Sequence, residues 1–212
     1  MDLGLAERLR HVYWIGGSPG AGKSTIARRL AVHHGWHLYV TDDTMPAHAD
    51  RTTPQQAPFL HEFMAMSMDE RWVDRSPRTM FETFHWYRGE GFDLIVEDLL
   101  RLPQDRPVIA EGFRLLPHLV HPLLPTPHHA VWLLPTPDFR EAAISGRSAP
   151  GEGFIWRTSD PEKAARNLAE RDAMFVERLE RETSRLHLPV IRVDVTMTEE
   201  KLEERVTGVF GL

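Results

Sequence analysis

The chain has 212 residues and a formal net charge of −6, with 42% hydrophobic and 26% charged residues, proportions that exclude a disordered polymer and predict one folded domain over 1–212. The 31 Asp and Glu outnumber the 25 Lys and Arg, which disfavours a nucleic-acid partner and an anionic membrane surface. No Cys is present, which excludes disulfides, thiolate catalysis and thiolate-held zinc.

Residues 1–10 carry charges and lack the apolar core of a secretory signal, and no apolar run reaches the about 20 residues that span a bilayer. A cytoplasmic location with no membrane partner is therefore expected. Apolar, β-branched runs predict strands at 11–16, 37–41, 107–111, 130–134 and 189–195. Between them lie predicted helices at 23–34, 137–147, 161–186 and 198–209. Alternating strands and helices imply right-handed crossovers and an α/β fold with a parallel sheet covered on both faces. The stretch 44–105 is longer than one crossover needs and reads as a helical insert. Two helices are expected in it, at about 57–73 and 76–102, with Pro46, Pro54, Pro58 and Pro77 at the joins. Residues 148–160, Gly-rich and polar between two helices, suit a mobile lid.

The most specific signal follows the first strand. Gly17-Ser18-Pro19-Gly20-Ala21-Gly22-Lys23-Ser24-Thr25 satisfies G-x-x-x-x-G-K-[ST] between an apolar strand and a helix, a match expected by chance in roughly 1% of chains or fewer. Its glycines allow a tight turn whose N–H groups point at the β- and γ-phosphates of a nucleotide. The helix N-terminus adds its positive dipole end, Lys23 adds a full charge, and Ser24 offers a hydroxyl oxygen to Mg²⁺. ATP and Mg²⁺ are the expected cofactors. The N-K-x-D element of switch GTPases is absent, and the third strand ends in Ala110-Glu111-Gly112 rather than the D-E of motor ATPases.

The loop, the acidic pair Asp42-Asp43 after the second strand and the VIAEGF run at 108–113 come in an order that resembles the nucleoside monophosphate kinase-like group of P-loop proteins. That group includes adenylate, shikimate and chloramphenicol kinases and the zeta-toxin-type sugar-nucleotide kinases. The resemblance implies a three-layer P-loop NTPase fold, a five-stranded sheet in the order 2-3-1-4-5, and an acceptor approaching over the carboxyl ends of the strands. It also implies that Asp42 or Asp43 takes the proton of an attacking hydroxyl. The competing reading is a strand-end turn in which an Asp caps the next helix. Glu111 is expected to hold a Mg²⁺-bound water beside Ser24, a task that related enzymes give to Asp. EGF followed by Arg114 is similar to the D-G-F-P-R run of adenylate kinases, with Arg in the proline's place. In similar kinases the loop after the last strand, 194–198 here, packs against adenine.

Moving a phosphoryl group spreads negative charge that arginines neutralise, and Arg147 and Arg157 are the first candidates, with Arg140, Arg166 and Arg171 nearby. Large apolar residues of the insert, among them Trp72, Phe84 and Tyr87, read mainly as core, the remainder lining a pocket for a ring-bearing acceptor. The twelve His show no metal-ligand spacing. The function expected is transfer of the ATP γ-phosphoryl group to a small-molecule acceptor, through a hydroxyl. The alternatives are a nucleoside or nucleotide kinase, and a regulatory ATPase without a small acceptor.

Overall fold

The computed structural model describes residues 3–140 and 153–212. Five parallel strands, β1 (Val12–Gly17), β2 (His37–Val40), β3 (Val108–Glu111), β4 (Ala130–Pro135) and β5 (Val190–Val193), lie in the order β2-β3-β1-β4-β5. The helices are α1 (Leu3–Arg8), α2 (Lys23–His34), α3 (Met45–Asp50), α4 (Pro58–Ala65), α5 (Met68–Trp72), α6 (Pro77–Thr83), α7 (Phe92–Arg101), α8 (Pro117–Val120), α9 (Pro161–Arg185) and α10 (Glu199–Phe210).

Side chains alternate across the pleat and build two cores. Trp14, Val108, Ala110, Trp132 and Leu134 pack under the insert and α9, whereas Ile15, Ile109, Val131, Leu133 and Ile191 pack under α2 and α10. Apolar side chains on both faces of β1, β3 and β4 match strands that read as nearly unbroken apolar runs. The strands and the α2, α9 and α10 helices agree with the sequence expectation to within two residues at their ends. Residues 137–140 are helical, and the rest of the predicted 137–147 helix lies outside the described residues.

The insert departs from expectation. In place of two helices it forms five short ones, α3 to α7, and a 3₁₀ turn at His85–Arg88. Met66 is extended, and Ser67 and Glu70 then close a capping box that starts α5 afresh. The second expected helix breaks where Phe84 is extended and where Gly89 and Gly91 are left-handed, at φ 85° and 73°. Glu90 reaches back to accept the N–H groups of Phe59 and Leu60, capping α4 from thirty residues away in the chain.

Parallel register decides what meets at the carboxyl edge. Ile15 and Val40 both pair with Glu111, so the turns after β1 and β2 flank the end of β3. Thr41 donates its N–H to the Glu111 carbonyl at 3.0 Å, and its side chain packs onto Gly112, whose φ is +152°. A Cβ at Gly112 would stand 1.7 Å from the Thr41 hydroxyl oxygen. Gly112→Ala is therefore expected to cost about 2–5 kcal/mol from strain and overpacking, lowering the melting temperature by about 5–15 °C in a thermal scan.

Candidate active site

The glycine-rich loop leaves β1 through Gly17, at φ +131°, where a Cβ would lie 2.1 Å from the Leu133 carbonyl oxygen. Gly20 and Gly22 are left-handed at φ 82°, the conformation that curls the chain before α2. Gly22 is the helix N-cap and has no side chain to bond the first turn, so the N–H groups there lack the usual side-chain acceptor. Lys23 is buried and donates to the Ser18 carbonyl at 2.8 Å, which ties the start of α2 to the start of the loop.

A cavity of about 180 Å³ is walled by residues 19–25 on one side and by Asp42, Glu111 and Phe113 on the other. Its lining holds one ammonium, Lys23, and two carboxylates. Burial drives the Glu111 carboxyl pKa up, and Lys23 and a hydrogen bond with Ser24 offset this only in part. Asp42 is accessible at the mouth, yet desolvation also raises its pKa against the opposing pull of Lys23, Thr41 and Arg114. Two carboxylates facing one ammonium leave room for a cation. The loop's dipole end and Lys23 suit a polyanion beside it.

Asp43 is exposed and lies outside this lining, so the cleft brings in only the first of the acidic pair. Neither Asp caps the next helix through its side chain, because Thr44 holds the N-cap position of α3 without a side-chain bond. Arg157 is exposed on the turn Phe154–Arg157 and lines none of the described cavities near the loop. Arg147 and the first five residues of the expected 148–160 lid lie outside the described residues. Arg166 pairs with Glu162 at 3.8 Å on the surface of α9.

Two further cavities adjoin the central one. On the α10 side, about 200 Å³ lies between Gly20, Gly22 and Thr25 of the loop and Phe139, Val193 and Met197. The 194–198 loop that forms part of this wall is turned by Asp194, which accepts from the N–H and hydroxyl of Thr196 at 2.8 and 2.6 Å. On the insert side, about 390 Å³ opens between α5, α9 and the turn at Phe154–Arg157. It shares Pro19 and Phe113 with the central cavity.

Sequence reasoning left Arg114 without a structural place. It is buried, stacks over Trp86 at 4.0 Å, and donates to the carbonyls of Thr41 and Gly91 at 3.2 Å each. Its Nη2 lies 3.0 Å from His48 Nδ1, and His48 Nε2 lies 2.7 Å from Asp98. Arg114 can only donate, so His48 accepts on Nδ1 and passes its own N–H to Asp98 as a neutral ring. Burial, and after it the Arg114 charge, hold the His48 pKa down, while burial pulls Arg114 down to about 10. This chain tethers the turn carrying Asp42 to α7. The Arg after EGF was its one visible signal.

No helix among the described residues is long and apolar enough to cross a membrane. No group of three or more His, Asp or Glu among them is placed to hold a metal ion by itself.

No family model and no curated protein matches the chain with significance. Solved structures similar to it include TT1252 from Thermus thermophilus, at 19% identity and a TM-score of 0.48, covering 94% of this chain and 96% of that one. An uncharacterized protein from Eubacterium ventriosum is similar at 14% identity and a TM-score of 0.47, covering 94% of this chain and 98% of that one. A sugar kinase from Janibacter sp. HTCC2649 is similar at 17% identity and a TM-score of 0.44, covering 95% of this chain and 94% of that one.

A carboxyl whose pKa is higher folded than unfolded binds more protons in the fold, so it weighs against stability once the pH exceeds both values. Glu111→Gln is accordingly expected to melt higher than the parent chain at neutral pH. The difference should shrink on acidification through the raised Glu111 pKa, where the parent carboxyl is itself protonated. Scanning calorimetry across pH checks both the sign and the direction of the trend.

Proposed function

We propose that the chain is an ATP-dependent phosphotransferase with a P-loop NTPase fold, which moves the γ-phosphoryl group to a hydroxyl of a small-molecule acceptor. The observation that carries this reading is the line of three adjoining cavities at the sheet edge, with the G-x-x-x-x-G-K-[ST] loop in the middle one. The triphosphate lies along the loop, its base between the loop and the 194–198 turn. The acceptor enters from the insert side past Pro19 and Phe113.

The donor set fits Mg²⁺, since a hydroxyl and a buried carboxylate stand together in a lining with more carboxylates than cations. Ser24 would bind it directly and Glu111 through water, and the ion would neutralise charge on the β- and γ-phosphate oxygens. Lys23 holds the same oxygens as a fixed cation. The acceptor oxygen attacks the γ-phosphorus in line, the bond from that phosphorus to the β,γ-bridging oxygen breaks, and ADP leaves. The hydroxyl proton passes to Asp42, which we prefer to Asp43 because it lines the cavity. A raised pKa makes Asp42 a better base than a fully solvated carboxylate. Charge neutralisation by an arginine remains assigned to Arg147 and Arg157 from the sequence.

Lys23→Ala is expected to lower phosphoryl transfer by about 100-fold or more, in line with loss of a charge-stabilising donor, with circular dichroism unchanged. The assay incubates Mg·ATP with pooled nucleosides, nucleotides, sugars and aminoglycoside-like compounds. Failure of the folded chain to bind either Mg·ATP or Mg·GTP by calorimetry would overturn the reading.

With Asp42 as base, kcat/KM should fall on acidification with an apparent pKa above the ordinary Asp value of about 3.9. Asp42→Asn should lose turnover and that acid limb while retaining nucleotide affinity. A variant that kept full turnover and lost only affinity would return the base role to Asp43.

A further inference from the structure

The cavity on the insert side is lined mostly by carbon. Trp72, Phe84, Tyr87, Phe113 and Phe154 present their rings to it, and Ile155 and Leu168 add aliphatic surface. The rings form a connected cluster of edge-on, tilted and stacked pairs. Phe84 lies 4.8 Å from Tyr87 and 6.3 Å from Phe113, Trp72 lies 5.0 Å from Phe154, and Tyr87 is fixed from behind by Phe175 at 3.7 Å and 6°. On the α9 side the wall is Ala165 and Ala169, one turn apart, whose small side chains leave the space open. The turn carrying Phe154 and Ile155 is anchored to α5 by the Ser159 N–H donating to Asp69 at 2.7 Å.

Arg171 and Asp172 are the only charged side chains among the described residues of this lining. Arg171 is 6% exposed and gives Nε and Nη2 to Asp172 at 2.9 and 2.7 Å. Its Nη1 is buried without a hydrogen-bond acceptor, and the guanidinium sits 4.8 Å from the Phe84 ring centre and 5.5 Å from that of Trp72. The Tyr87 hydroxyl donates to the same Asp172 oxygen at 3.0 Å.

From this lining we infer that the acceptor is a flat, predominantly apolar ring compound with few polar groups, not a sugar and not a nucleotide. The assignment rests on the phosphotransferase reading for the hydroxyl itself; the rest follows from the walls. A polyol brings many hydroxyls, each of which costs free energy when buried without a partner, and the one ion pair among the described residues of the lining cannot satisfy them. A nucleotide's phosphate would need cations, and the single one among the described residues of the lining already faces Asp172 at 2.7 Å. A ring compound gains stacking and edge contacts with the aromatic side chains. The volume of about 390 Å³ falls within the about 300–1,000 Å³ typical of small-molecule pockets and suits one or two rings.

The test is calorimetric titration of the full chain with naphthylethanol and biphenylmethanol, against glucose, adenosine and AMP. Each titration is run with and without a non-hydrolysable Mg·ATP analogue. The aromatic alcohols are expected to bind at least about 10-fold more tightly than the other three, with a negative heat-capacity change from apolar burial. Ala169→Phe should fill the cavity and weaken them by at least about 10-fold, leaving melting temperature and affinity for the ATP analogue unchanged. Ala165→Phe, one turn earlier, repeats the test if the first variant misfolds. Tighter or equal binding of glucose, adenosine or AMP, no binding of the aromatic alcohols, or aromatic binding untouched by both variants would overturn the inference. Aromatic binding without any binding of the ATP analogue would sink the phosphotransferase reading while supporting this one.

Discussion

Glu111 pairs with Ile15 on one side and Val40 on the other, and that register is the constraint from which the candidate site follows. Parallel strands ending level bring their following turns to a common edge, whatever the sequence distance between them. Here it joins the Gly17–Thr25 loop and the Thr41–Asp42 turn to Glu111, which the whole 44–105 insert separates from both in the chain. None of these groups would be near the others in an isolated segment. The two cores serve this arrangement by fixing the sheet from both faces, so the edge is held by rigid elements rather than by loops alone.

The site is also a place of electrostatic tension. Asp42 and Glu111 both have carboxyl pKa values pushed up by desolvation, which the charge of Lys23, with Arg114 for Asp42 and Arg28 for Glu111, offsets only in part. A fold selected for stability alone would have little reason to keep an acid at the end of a buried apolar strand. The same holds for Arg114, which is kept in place by carbonyls, a neutral His48 and the Trp86 ring rather than by a direct carboxylate partner. Its contacts are spent on orienting the turn after β2.

How much of this could be read from the chain depended on the range of the interactions. The β1–loop–α2 unit is local: its glycines, its lysine and its apolar flanks are consecutive, and sequence reasoning located all of it. The strands were legible because burial on both faces demands apolar runs, and their order followed from the family resemblance rather than from the residues. The insert was misjudged because helical periodicity continues through Met66 and Phe84, while the breaks come from short-range devices, the Ser67–Glu70 box and the left-handed Gly89 and Gly91. Least legible were pairings across long separations. His48 to Asp98 and Arg114, Asn167 to the carbonyls of Trp72 and Val73, and Tyr87 to Asp172 leave no periodic trace in the chain. The insert-side cavity was legible in part, because Trp72, Phe84 and Tyr87 of the insert were among the residues expected as core or pocket lining, whereas Phe113 and Phe154 join them only through the fold.

The contact between Thr41 and Gly112 carries a consequence beyond its cost in packing. Because the Thr41 side chain fills the place where any other residue at 112 would put its first carbon, the ends of β2 and β3 sit as close as a threonine side chain packed on a bare glycine allows. The interval between Asp42 and Glu111, the residues next to this contact, thus works as a ruler cut into the sheet edge. Diversification of ligand size is left to the opposite wall, where α5 and α9 meet and where alanines can be exchanged without moving the ruler's marks.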